Sequence, residues 1–126
     1  MKLALFALLL ALGGPAPSAP MQERIPVRVG LVGDDGLTQK LADALELKLR
    51  EDARLRPATS VDDKPLSIES DANVDWDELA GRTVLIYTVY VSSRGAQRLR
   101  LTGACFEDDV SKCAKDILSR SSRLVH

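Results

Sequence analysis

Histidine is nearly absent from this 126-residue chain, and the one present is the last residue, His126. A serine or cysteine nucleophile would have to recruit that terminal, readily frayed side chain as its base. Zinc would need about four ligands, and neither a second histidine nor a CxxC pair is there to start the set. Aromatic residues are also sparse, at 4%, and the formal net charge is only −1. Trp76, Tyr87, Tyr90 and Phe106 on a near-neutral domain do not make the basic, aromatic-interleaved surface of a nucleic-acid binder. The apolar run at residues 3–12 is about half of the ~20 residues that span a bilayer, which argues against a permanent helical anchor.

That run has a different use. Lys2 precedes it and GGPAPSA follows it, the positive head, apolar stretch and small-residue exit of a secretory signal peptide. Proline follows both Ala16 and Ala19, so the favoured cut lies after Ser18. With no cysteine near the cut, a lipid-anchored form is excluded. The chain therefore divides into a signal peptide (1–18), a polar lead-in (19–26) and one small domain (27–126), delivered to the periplasm or secreted. In such an oxidising compartment the only two cysteines, Cys105 and Cys113, are expected to form a disulfide.

Several local patterns invite chemistry and fall short of it. Gly30, Gly33 and Gly36 lie between a strand and a helix, but their spacing is not a dinucleotide fingerprint and Asp34 and Asp35 would repel a phosphate. Asp71, Asn73 and Asp75 open an EF-hand pattern, yet Trp76 replaces its glycine and Arg82 its bidentate glutamate. Consecutive acids (34/35, 62/63, 108/109) at loop–helix joints read as caps. No arrangement spells a reaction, so neither catalysis, a cofactor nor a metal is expected, and a small hydrolase ranks behind two binding readings.

The patterning is richer. VRVGLVG at 27–33 alternates as a first strand. Leu37, Leu41, Ala44, Leu45 and Leu49 then line one side of a helix running to about residue 53, capped by Asp34 or Asp35. Short strands are expected near 57–61 and 65–69. WDELAG resembles a capped helical turn, with Asp75 and Glu78 as a capping box, Gly81 as its stop, and Trp76 and Leu79 facing the core. TVLIYTVYV (83–91) has the composition of a central strand buried on both faces. After a turn, QRLRLTGACF puts Leu99, Leu101, Gly103 and Cys105 on one face and Arg98, Arg100 and Thr102 on the other. A last helix carries Val110, Cys113, Ala114, Ile117, Leu118, Ser121, Leu124 and Val125 on one stripe, turned toward the cysteine-bearing face of that strand. The expected fold is a two-layer α/β sandwich: a mixed sheet of four to five strands with two long helices on one face, in the order β-α-β-(β)-short α-β-β-α.

This order, with VRVGLVG, a capped helix ending in ARLRPATS, WDEL leading into TVLIYTVYV, a hairpin and a final helix, resembles the N-terminal α/β domain of the TolB family. The core recurs in LpoB, CsgG and FlgT. The chain departs from TolB in lacking a propeller and in having its cysteine pair. The resemblance implies a periplasmic adaptor that binds other envelope proteins.

The residues point the same way. Arg94, Arg98 and Arg100 beside Tyr87 and Tyr90 form a candidate interface on the outer face of the hairpin, because arginine and tyrosine together are enriched at binding hot spots. A slip of one residue in the turn would exchange the faces of 83–91, leaving the buried side of that strand open. The alternative reading is a secreted inhibitor or small-ligand binder that uses the acidic 57–82 segment.

Overall fold

The computed structural model describes residues 24–62, 64–93 and 98–124. Arg94 and Val125 lie outside them, as do residues 1–23, which hold the expected signal peptide and most of the expected lead-in. The described elements are β1 (Ile25–Gly30), α1 (Gly36–Glu51), β2 (Leu55–Pro57), β3 (Leu66–Glu69), β4 (Asp75–Leu79), β5 (Arg82–Ser92), β6 (Leu99–Phe106), a 3₁₀ turn (Glu107–Asp109) and α2 (Val110–Ser122).

All six strands belong to one mixed sheet, one or two more than the sequence pattern suggests. β1 pairs in parallel with β2 on one side and β3 on the other, and the connection from β1 to β2 passes through α1. β5 organises the rest. Its residues 84–91 pair antiparallel with β6, in the register Leu85↔Cys105, Tyr87↔Gly103 and Val91↔Leu99. Its other edge is shared by two strands placed end to end, β3 against residues 90–92 and β4 against residues 82–86. Between those pairings residues 70–74 stand opposite 87–89, so two extra residues bulge out.

Both helices cover one face of this sheet, which makes the predicted two-layer sandwich. Leu41, Leu45 and Leu49 of α1 and Cys113, Ala114, Ile117 and Leu118 of α2 are buried with Val27, Ile68, Leu85, Tyr87, Val89 and Val91. The helix-forming stripes are legible because every fourth or third residue is apolar and most of the intervening ones are polar or charged. Asp35 is the cap, its carboxylate accepting from the Thr38 N–H at 3.0 Å, and Arg24 closes the other end of α1 by donating to the Leu49 carbonyl at 2.8 Å. The last described residue of the expected stripe, Leu124, falls past the helix end and is exposed. Cys105 and Cys113 are bonded, with Cα atoms 5.7 Å apart, so the end of β6 is stapled across the 3₁₀ turn to the first turn of α2.

Two expectations are corrected. The 75–82 stretch is not a helical turn but the strand β4 and a two-residue hairpin turn, Ala80 and Gly81, with positive φ of 54° and 78°. Positive φ at both positions is the hairpin turn whose twist suits the flanking strands. Trp76 and Leu79 consequently leave the core and are exposed. β5, in turn, is buried on one face only: Leu85, Tyr87, Val89 and Val91 point to the helices, while Val84, Thr88 and Tyr90 are half-buried and Ile86 is exposed. No second layer covers that outer face among the described residues.

Candidate functional site

The uncovered face is built by strand alternation. Along β5 it presents Arg82, Val84, Ile86, Thr88 and Tyr90, and β6 sets Phe106 beside Val84, Ala104 beside Ile86, Thr102 beside Thr88 and Arg100 beside Tyr90. β4 adds Asp75, Asp77 and Leu79 beside Ile86, Val84 and Arg82. An apolar stripe therefore runs down the middle, with arginines toward β6 and carboxylates toward β4.

Two of the arginines lie over aromatic rings. The Arg82 guanidinium sits 3.6 Å from the centroid of Phe106 and reaches Asp108 at 2.7 Å. Arg98 sits 4.1 Å from the centroid of Tyr90 and approaches Asp71 at 3.4 Å. Stacking of this kind fixes a long side chain while leaving the donor edge of the guanidinium exposed. Such a surface has the chemistry to bind rather than to react: planar donors for carboxylates or carbonyls stand beside desolvatable rings.

The bulge at 70–74 forms one wall of a cavity of about 240 Å³ on this face, lined by Asp71, Asn73, Val74, Ile86, Thr88 and Tyr90. That volume lies below the ~300–1,000 Å³ of small-molecule sites. A larger open groove, about 720 Å³, lies on the helix-bearing side between α1 and β4, with Trp76, Leu37, Asp35, Asp43, Glu78 and the Lys40–Glu107 pair along it.

Of the residues the sequence nominated, Arg98, Arg100 and Tyr90 come together on the outer face, and Arg94 lies outside the described residues. Tyr87 does not join them. Three positions from Tyr90 on a strand it points the opposite way, and its ring is buried over Gly103 beneath α2. There its hydroxyl donates to Asp116, while Arg120 donates to Asp116 at 3.1 Å and to the Thr102 carbonyl at 3.0 Å. Burial, then the neighbouring carboxylate, pushes the Tyr87 phenol far above its ordinary value. Asp116 is held below the usual carboxylate range, chiefly by the Tyr87 hydroxyl and then by Arg120. The cluster ties α2 to β5 and β6 and is structural.

The sequence also missed Arg82, Phe106, Ile86 and Leu79 as members of the face. The even-numbered alternation through 84, 86 and 106 carried that signal, but only once the hairpin register was fixed. The acidic 57–82 segment is held by internal hydrogen bonds where it is described. Asp62 accepts from both guanidinium nitrogens of Arg56, at 2.9 and 3.0 Å, and from the Thr59 N–H at 2.7 Å. Asn73 accepts from the Asp34 N–H at 3.0 Å, and Thr38 from the Val74 N–H at 2.9 Å, pinning residues 70–74 to the start of α1. Gly33 is required there, since a Cβ would collide with Asn73 and Thr38.

Among the described residues no helix is long and apolar enough to cross a membrane. No protein-family model matches the chain, and no curated protein matches it either.

Proposed function

We propose that the protein is a non-catalytic interaction module of the cell envelope, exported to the periplasm or secreted, which binds other envelope proteins through the outer face of β4, β5 and β6. One observation carries this reading. A sheet face over which no layer lies among the described residues displays Val84, Ile86, Tyr90 and Phe106, and two arginines are held over the two rings. A solvated strand face ordinarily presents short polar residues, whereas clustered aromatic and arginine side chains are the composition of interface centres. The apolar run at 3–12 and the bonded cysteine pair support export, since cystines persist in oxidising compartments. The likeness of the element order to the TolB-type adaptor domain agrees with this use.

The test is Arg98→Glu with Arg100→Glu. Both side chains are exposed, so the circular dichroism should be unchanged and stability should move by no more than about 1 kcal/mol, the worth of the Tyr90 stack. Capture of envelope proteins should weaken at least tenfold, mainly through faster dissociation. Undiminished capture by the folded double variant would remove this face from the function.

A further inference from the structure

β4 is an anomaly among the strands: all five of its residues are exposed, on both faces. A sheet strand normally buries every second side chain, and here Trp76 and Leu79, one on each face, are each 58% accessible. Its only described pairing is with β5, so its other edge offers unpaired backbone groups. β6 is the second such edge, because it too pairs only with β5 among the described residues. Its far half is blunted, with Arg120 covering the Thr102 carbonyl, but the segment around Leu99 has no such cover in the described contacts. Leu99 itself is 42% accessible on the helix-bearing face.

Of the three sheet edges among the described residues, the third being β2, these two are complementary in sequence. Residues 75–77 read Asp-Trp-Asp, and residues 98–100 read Arg-Leu-Arg. In both triplets the charged residues point to the uncovered face and the apolar one to the helix side. With the helices of both copies on the same side, β4 and β6 of adjoining copies run parallel, because both are antiparallel to β5 and lie on its opposite edges, and Trp76 beside Leu99 then sets Asp75 beside Arg98 and Asp77 beside Arg100. Trp76 and Leu99, both exposed on the helix side, then cover each other. Opposite charges directly across a strand pair stabilise it, and like charges destabilise it. Pairing β4 with β4 would set acids on acids, and β6 with β6 would set arginines on arginines, so charge selects the mixed pairing. Arg98 leaves its 3.4 Å contact with exposed Asp71 at little cost.

Resting on the reading of this region as a contact surface, we infer that its partner is a second copy of the same chain, joined by sheet continuation between β4 of one copy and the 98–101 end of β6 of the next. The contact is heterologous, so every added copy leaves one edge of each kind open, and assemblies grow as chains or close as rings.

Trp76 is the sole tryptophan, which makes the unaltered disulfide-bonded protein its own reporter. As concentration rises at low salt, sedimentation velocity should show species beyond the monomer. Trp76 emission should shift to the blue over the same range, and 0.5 M salt should reverse both, because the pairing is electrostatic and exposed. Asp75→Arg with Asp77→Arg, and separately Arg98→Asp with Arg100→Asp, should each weaken association at least tenfold. An equimolar mixture of the two variants should restore it, since each then supplies the edge that the other needs. A wild type that stays monomeric into the hundreds of micromolar with unchanging emission would overturn the inference. So would variants that associate as the wild type does, or a mixture no better than its parts. If self-association fails while Arg98→Glu with Arg100→Glu still abolishes capture of envelope proteins, the contact-surface reading stands and only the second copy is wrong as partner. If neither effect is seen, both readings fall.

Discussion

Gly103 lies in the middle of β6, where glycine is a poor strand residue, and propensity alone says that Gly103→Ala should stabilise the protein by about 0.5–1 kcal/mol. The structure says the opposite. A Cβ at this position would stand 2.5, 2.7 and 2.8 Å from the hydroxyl, Cζ and Cε2 of Tyr87, its cross-strand partner. The ring has little freedom to yield, because it is buried under α2 and its hydroxyl is held by Asp116. Overpacking of this kind costs about 1–3 kcal/mol, and any shift of the ring also weakens a hydrogen bond to a charged group. The steric cost exceeds the propensity gain, leaving a net loss of about 1–2 kcal/mol. For a domain of this size that is a fall in Tm of roughly 5–15 °C, readable by calorimetry or a urea series. The mechanism has its own control. In a Tyr87→Leu background the collision is gone, so Gly103→Ala should become neutral or mildly stabilising, a coupling of about 1 kcal/mol or more between the two positions. A higher Tm for Gly103→Ala alone, or strictly additive effects, would refute the packing argument.

The disulfide should appear by mass spectrometry as two hydrogens fewer than the dithiol, and Cys113→Ser should cost about 2–3 kcal/mol, the loop-closure value for so short a ring. Tyr87→Phe should change the pH dependence at both ends. Asp116, depressed mainly by the Tyr87 hydroxyl, contributes stability above its unfolded value near ~3.9 that is lost as pH falls through the folded one. The variant should therefore lose less stability on acidification. The raised Tyr87 phenol contributes stability that is present below about pH 10 and lost above it, so the variant should also be less alkali-sensitive; identical profiles would show the cluster to be energetically idle. Ala80→Asn should stabilise by about 0.5–1 kcal/mol in urea unfolding, because alanine is strained at a φ of 54° and asparagine tolerates that region.

Where the sequence was readable, the signal was local and repeated. Four apolar positions a turn apart define α1, the stripe ending at Ser121 defines α2, and the two-residue alternation of β6 aims Cys105 at Cys113. The hairpin face was readable only by half, because placing Tyr87 and Tyr90 on opposite sides needs a register that the turn between β5 and β6 conceals. β4 was misread for a physical reason. An acid three residues before a glutamate, followed by an apolar residue and a glycine, carries the local chemistry of a capped helical turn, and the Ala80–Gly81 turn lacks the asparagine or aspartate that would announce a hairpin. Its strand state comes from the edge of β5, a partner no local pattern displays. That error is instructive about function. Trp76 and Leu79 have the spacing and size of core residues, yet the fold leaves both in water on a strand that buries neither face. When a segment breaks the agreement between local pattern and tertiary placement without a packing gain inside the molecule, the compensation is to be sought outside it. The acids that alternate with Trp76, and the arginines that alternate with Leu99 on the opposite edge of the sheet, say of what charge that outside surface should be.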